Sequence, residues 1–304
     1  MKAAAIGIGS NSVRMLAAEI EGDHGRRLTR ERAATRLFAG LDERRMLSGE
    51  AMERTCAAVV TQAAVARDLG VEELSVFATS ATRDAANGPV FGELILKRIG
   101  CPLHICSGRE EAALSFAGAS DGGDCGVIDI GGGSTEVIIG EGNDVQVSFS
   151  CQMGAVRLFR LIDIHSRADV PGAIVAARGV LRDSLAQAGG WQQPGRWWGT
   201  GGTFTALAAL VQDVPWTDRT NMHSTMLSRD RVWTEAEFLS ELSVPERLRI
   251  PSLQPGRADI VVHGICILLA CMEEMSIERL TVSEYGNLDG FLKRKYNLTR
   301  LVNP

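Results

Sequence analysis

The sequence predicts an α/β chain made of two related halves that face each other across a cleft. Three observations carry that expectation. Strand-like and helical segments alternate through the 304 residues, and an antiparallel hairpin opens each half. A glycine-dense turn, Val127-Ile128-Asp129-Ile130-Gly131-Gly132-Gly133-Ser134-Thr135-Glu136, has a weaker copy near the start, Ile6-Gly7-Ile8-Gly9-Ser10-Asn11-Ser12-Val13-Arg14. Aligning Gly9 with Gly131 places Gly7 on Asp129 and Ser12 on Ser134. Finally, Ala119-Ser120-Asp121-Gly122-Gly123-Asp124 reads as a linker and divides the chain into domains 1–120 and 121–304.

In order, Lys2 to Ile8 and Val13 to Ile20 are apolar runs on either side of the first turn and form a hairpin. Ser48 to Leu69 carries Met52, Cys56, Val59, Val60 and Ala63 at helical spacing and stops at Gly70. Leu74 to Thr79 is a short buried strand, Val90 to Ile99 a helix, Leu103 to Cys106 a strand, and Glu110 to Ala117 a helix. The second half restarts with strands Gly126–Ile130, Glu136–Gly140 and Val145–Phe149. An alanine-rich helix follows over Pro171 to Ala188. Arg196-Trp197-Trp198 is strand-like, and helices are expected at Thr203–Val211 and Arg257–Met275. Strand Leu280–Val282 and a helix over Gly286–Tyr296 end the pattern.

Composition is that of a globular chain, and its length allows two cores. The net charge of −5, from 32 basic and 37 acidic residues, argues against a nucleic-acid partner, which would want a basic surface. It leaves room for a small anion, because a few arginines and backbone amides focus field locally. The longest apolar stretch, Ile260 to Met272, is too short to span a bilayer, so no membrane partner is expected. The N-terminus runs straight into a strand, and a cytoplasmic location follows as the expectation. None of the seven cysteines has CxxC spacing, and most lie among apolar neighbours; they read as small buried hydrophobes.

The chemistry concentrates at the turns. Three glycines at 131–133 exceed what a hairpin needs, and glycine lets backbone amides approach an anion. Ser134 and Thr135, bracketed by Asp129 and Glu136, suit a phosphate escorted by a divalent cation. Gly199-Thr200-Gly201-Gly202-Thr203 opens an apolar helix, where amides and helix dipole favour an anion; a tight turn with Thr203 as N-cap serves equally well. Arg83 can grip a phosphate with its planar fork of donors, or pair with Asp84 or Glu93. Of Glu110 and Glu111, one is accounted for by the helix dipole, and the other could polarise a water. Arg257-Ala258-Asp259 reads as structural.

These motifs, taken with Ala78-Thr79-Ser80-Ala81 and Ser107-Gly108-Arg109-Glu110-Glu111-Ala112, occur in an order that resembles the Ppx/GppA family. That family joins exopolyphosphatases and guanosine pentaphosphate phosphohydrolases within the actin, sugar-kinase and heat-shock-chaperone ATPase superfamily. The resemblance covers nearly the whole chain. It implies two ribonuclease-H-like (actin-like) domains with a central active-site cleft. It also implies an Mg²⁺-dependent (or Mn²⁺-dependent) enzyme that releases terminal phosphate from inorganic polyphosphate, converts pppGpp to ppGpp, or does both. Polyphosphate is the first choice of partner, because no feature reads guanine. The resemblance makes Glu111 the catalytic carboxylate that activates water, and Asp129 and Glu136 the residues at the metal. Gly9, Ser10, Asn11, Ser12, Arg14, Arg83, Gly131, Gly132, Gly133, Ser134, Thr135, Gly201 and Gly202 would hold phosphate, and a homodimer is compatible with the family.

Two departures stand out. Gly7 occupies a position where the family commonly has Asp, which removes a carboxylate from the first loop. In Gly286-Asn287-Leu288-Asp289-Gly290, Asn287 and Leu288 replace the Leu and Arg of a Gly-Leu-Arg-x-Gly pattern. They motivate an alternative: a catalytically weak sensor of polyphosphate or alarmone on the same fold. A third reading, a kinase or ATPase of the superfamily, rests on Gly199–Thr203 alone.

Overall fold

The computed structural model describes residues 1–142 and 144–303, which form two units. In the first, β1 (Lys2–Ile8), β2 (Ser12–Glu21) and β3 (His24–Ala34) make an antiparallel meander. Helix α1 (Gly49–Asp68) leads to β4 (Glu73–Ala78), α2 (Ser80–Asp84), α3 (Gly88–Ile99), β5 (Leu103–Ile105) and α4 (Gly108–Ala119). Strands β4 and β5 join β1 in parallel, giving the order β3-β2-β1-β4-β5. The helix expected after Ser48 forms because its buried positions, among them Cys56, Val59, Ala63 and Ala66, recur at three- and four-residue intervals. The Ser48 side chain accepts from the Ala51 amide and caps it.

The second unit repeats the plan. Strands β6 (Cys125–Ile130), β7 (Thr135–Glu141) and β8 (Asp144–Cys151) form its meander, followed by α5 (Ala155–Leu161) and α6 (Val170–Ala188). Next come β9 (Trp197–Thr200), α7 (Gly202–Gln212), α8 (Arg219–Met222) and β10 (Met226–Ser228). They are followed by α9 (Arg229–Ser240), α10 (Val244–Arg247), α11 (Val261–Glu274) and β11 (Arg279–Val282). Its sheet runs β8-β7-β6-β9-β11, closed by β10. Both sheets therefore show the ribonuclease-H-like order of three antiparallel strands continued by two parallel ones. The two α/β domains expected from the sequence are present.

One boundary differs from expectation. Residues 287–303 belong to the first unit, with Met1–Gly118, and the second is Ala119–Gly286. The physical reason lies in α12 (Asn287–Lys295) and β12 (Arg300–Val302). Gly290 lets α12 approach α4 so closely that a Cβ there would lie 1.8 Å from the Leu114 carbonyl oxygen. Asp289, fully buried, accepts from Arg27 of β3, and β12 pairs in parallel with β3. Leu288 and Leu292 of α12 complete an apolar cluster with Ala3, Ala5, Leu16 and Phe77.

The core of the second unit centres on α11, whose residues from Val261 to Met272 are all buried. Pro255–Arg257 forms a separate 3-10 turn, so this helix starts at Val261 rather than at Arg257. Among the described residues no helix is long and apolar enough to cross a membrane. Within α11, His263 bonds through Nε2 to the Ile162 carbonyl at 2.9 Å, and burial holds its pKa below the ordinary 6.5. A lowered folded-state pKa stabilises above the unfolded value and loses that contribution as pH falls through the folded one. The urea midpoint should therefore drop as pH is lowered below about 6.5. His263→Gln should flatten that drop; an unchanged slope in the variant would remove His263 as its cause.

Candidate active site

In the first unit the turn between β1 and β2 closes with the Gly9 amide donating to the Ser12 carbonyl at 3.0 Å. Ser10, Asn11 and Ser12 are buried. Their loop is pinned from outside: Thr35 and Arg36 amides bond the Asn11 carbonyl, and Phe38 bonds that of Ser10. The Ser10 hydroxyl lies 2.8 Å from that of Ser80, the first residue of α2. That short helix carries Arg83, whose Nη1 donates to Glu111 Oε2 at 2.8 Å and to the Cys106 carbonyl at 3.1 Å. Glu111 is 6% exposed, so the pair is held out of bulk water. Arg14, on β2, reaches Asn287 Oδ1 with Nη2 at 3.0 Å.

The two adjacent acids divide their work. Glu110 accepts from the amide and hydroxyl of Ser107 and bonds His104, which closes the first turn of α4. The Ser107 backbone bond, followed by its hydroxyl, holds the Glu110 carboxyl below its ordinary pKa. Glu111 pairs with Arg83. The Arg83 guanidinium thus joins the start of α4 to the end of β5.

The turn of the second unit closes in the same way, with the Gly131 amide on the Ser134 carbonyl at 2.9 Å. The carbonyls of Gly131 and Gly132 accept from amides of Ala155, Val156 and Arg157 at the start of α5, and that of Gly133 from Arg157 Nε. Thr135 bonds the Met153 carbonyl through its hydroxyl at 2.6 Å. With carbonyls drawn toward α5, the amides of Gly132, Gly133 and Ser134 donate to no group among the described residues. Consecutive amides so presented are available to an anion.

Asp129 and Glu136 are directly opposed in the β6–β7 register, so both project from one face of the sheet. Glu136 is 1% exposed and accepts from the Ser150 hydroxyl at 2.8 Å. Gly201, at φ 98°, brings the β9–α7 loop against Asp129, where a Cβ would sit 2.8 Å from Oδ1. Gly202 lies under the Arg257 guanidinium, which any side chain there would have to displace. Gly201, not Thr203, is the N-cap of α7, and Thr203 packs instead on Gly264.

Within the first unit, Gly9, Ser10, Asn11 and Ser12 are linked to Arg83 and Glu111 through α2, and Arg14 leaves the same turn. Within the second, Asp129, Gly131–Thr135, Glu136, Gly201 and Gly202 converge on the β6–β7 and β9–α7 loops. Ser80, Ser150, Arg157 and Arg257 are additional residues that shape these loops. Ser80 lies in a motif already singled out, and Arg257 opens one read as structural. Ser150 and Arg157 carry no local signal, since only strand pairing and the α5 approach bring them in. The cysteines are free thiols, six of them buried. Burial pushes Cys106 up to about 12 and Cys151 up to about 11, which keeps them from acting as nucleophiles.

Comparison with known proteins adds the lineage. The model of the Ppx/GppA phosphatase family matches residues 16–298. Exopolyphosphatase 2 of Mycobacterium tuberculosis is 32% identical over 310 residues, covering 95% of this chain and 97% of its own length. The guanosine-5'-triphosphate,3'-diphosphate pyrophosphatase of Vibrio campbellii is also 32% identical, over 92% of this chain but 56% of its own length. The crystal structure of an exopolyphosphatase from Cytophaga hutchinsonii superposes with a TM-score of 0.86 at 26% identity, covering 98% of each chain. With the family model spanning most of the chain and a relative 32% identical over 95% of it, the chain belongs to the Ppx/GppA phosphatase family and is a hydrolase.

Proposed function

We propose that this hydrolase releases the terminal phosphate of inorganic polyphosphate, with water as the nucleophile and Mg²⁺ as the cation. The observation that carries the reading is the run of available amides at Gly132–Ser134 beside paired carboxylates. It is a repeating-phosphate cradle with hard oxygen donors at its edge. Polyphosphate is preferred over pppGpp because the loops offer backbone amides and arginine, groups that recognise phosphate and nothing of a base. The relatives named for each substrate support the shared bond type, a terminal phosphoanhydride.

In this reading Glu111 accepts a proton from the attacking water or orients it, and Arg83 both positions Glu111 and binds a substrate oxygen. In the first unit Ser10, Ser12 and Arg14 would contact phosphate, with Gly9 and Asn11 shaping their turn; in the second, Ser134, Thr135 and the amides of Gly132 and Gly133 would do so, with Gly131, Gly201 and Gly202 shaping the loops. Asp129 and Glu136 suit a hard divalent cation. Among the described residues no cluster of three metal-ligating side chains occurs, and Mg²⁺ needs few protein ligands because it keeps waters and takes substrate oxygens. When bound, the cation neutralises charge on the phosphoryl oxygens. A homodimer and a cytoplasmic setting remain part of the proposal without bearing on the chemistry.

The test is phosphate release as Mg²⁺ is titrated, on long-chain polyphosphate beside pppGpp. Asp129→Asn should need about tenfold more Mg²⁺ for half-maximal rate, the scale of losing one charged ligand. A half-saturation point that does not move would remove Asp129 from the cation site. Tight polyphosphate binding without release would favour the sensor, the reading that the missing carboxylate at Gly7 motivates.

A further inference from the structure

The duplicated turns allow the two units to be compared position by position, each from its own contacts. Gly7 pairs with Arg14 on β2 and with Phe77 on β4. At the matching places Asp129 pairs with Glu136 on β7 and with Thr200 on β9. The trio is Asp, Glu and Thr in one unit and Gly, Arg and Phe in the other. An ideal Cβ on Gly7 would stand 3.1 Å from Phe77 Cζ and 3.4 Å from Leu288 Cδ2. Phe77 is fully buried and stacks on Phe291 with ring centroids 5.0 Å apart. Leu288 is buried beside them. The two departures met separately in the sequence, Gly7 and Leu288, are therefore neighbours in one packing contact.

We propose that Phe77, Leu288 and Phe291 form an apolar plug that has replaced a cation-facing position in the first unit. The protein's cation-binding carboxylates then come only from Asp129 and Glu136, and the first turn serves anions through Arg14. The proposal rests on the function proposed above for its cation half; the packing half stands by itself. Two physical effects oppose a carboxylate at position 7. Hydrocarbon fills the space it would need, and burial against it leaves a charge poorly solvated. Its cross-strand neighbour is also a guanidinium, which repels a divalent cation, whereas Asp129 faces Glu136.

A double-mutant cycle on unfolding by urea tests the plug. Gly7→Ala should destabilise, because the ring must give by a few tenths of an ångström. In the Phe77→Leu background that loss should shrink, a coupling of about tenfold in the unfolding equilibrium constant. Strict additivity would overturn the plug. Binding of Mn²⁺ alone, followed by electron paramagnetic resonance, tests the cation half. Gly7→Asp placed in the Phe77→Leu background, where the chain has room for it, should leave Mn²⁺ affinity unchanged, while Asp129→Asn should weaken it about tenfold. A tenfold gain from Gly7→Asp would overturn the proposal. An Asp129→Asn protein that binds as before would overturn the cation assignment itself, whatever the packing cycle gives.

Discussion

Glu111→Gln is expected to lower kcat for phosphate release by about 10²–10⁴, the usual contribution of a positioned acid–base group. The substitution keeps the shape of the side chain and an oxygen that can still accept from Arg83, now 2.8 Å away. It removes the negative charge that draws a proton from water. Glu110→Gln is the matched control, one residue earlier on the same helix. Glu110 closes the turn onto Ser107, so its loss should cost about 1 kcal/mol of stability and leave kcat within a few-fold. Steady-state rates and urea midpoints for both variants separate the roles. Equal losses of kcat would show that Glu111 acts through the helix and not on water.

Gly154→Ala should cost the phosphate loop its shape. Gly154 has an extended backbone, φ −127°, which alanine adopts freely, so conformational strain is not the issue. Space is: a Cβ would lie 2.5 Å from the Gly132 carbonyl carbon and 2.6 Å from the Gly133 nitrogen. Backbone, unlike a side-chain end, cannot rotate away, so the loop must move. A displacement of about 1 Å at a substrate-positioning loop lowers kcat/KM by about 10²-fold, and overpacking costs about 1–3 kcal/mol. Gly172→Ala, where nothing lies within 4 Å, should change neither quantity appreciably. Wild-type kcat/KM in Gly154→Ala would contradict a binding role for Gly132–Ser134.

The glycine turns were legible because their chemistry is local: short closed loops between apolar strands need glycine, and the excess of amides shows in the residue count. The internal copy keeps its register, with Gly9 to Ser12 and Gly131 to Ser134 closing alike. Strand β3 was not legible. His24–Ala34 is dense in arginine and has no apolar alternation, and it is a strand because β2 offers it a long antiparallel partner. The return of residues 287–303 to the first unit was equally hidden. It depends on a close approach at Gly290 and on a buried Asp289–Arg27 pair separated by 262 residues. At the site, spacing could not choose between Glu110 and Glu111. The family resemblance points to Glu111; the structure distinguishes the two by their partners, Ser107 for Glu110 and Arg83 for Glu111. The meeting of Gly7 with Leu288 also lay beyond the sequence, since nothing in two distant motifs says that they touch.

The most direct test of the account is a single turnover on long-chain polyphosphate with Mg²⁺ in oxygen-18 water, with mass analysis of the released phosphate. Attack of water on the terminal phosphorus predicts one oxygen-18 in each phosphate released, and no release when the cation is chelated. Unlabelled phosphate with the label left on the shortened chain, or no phosphate at all, would contradict it.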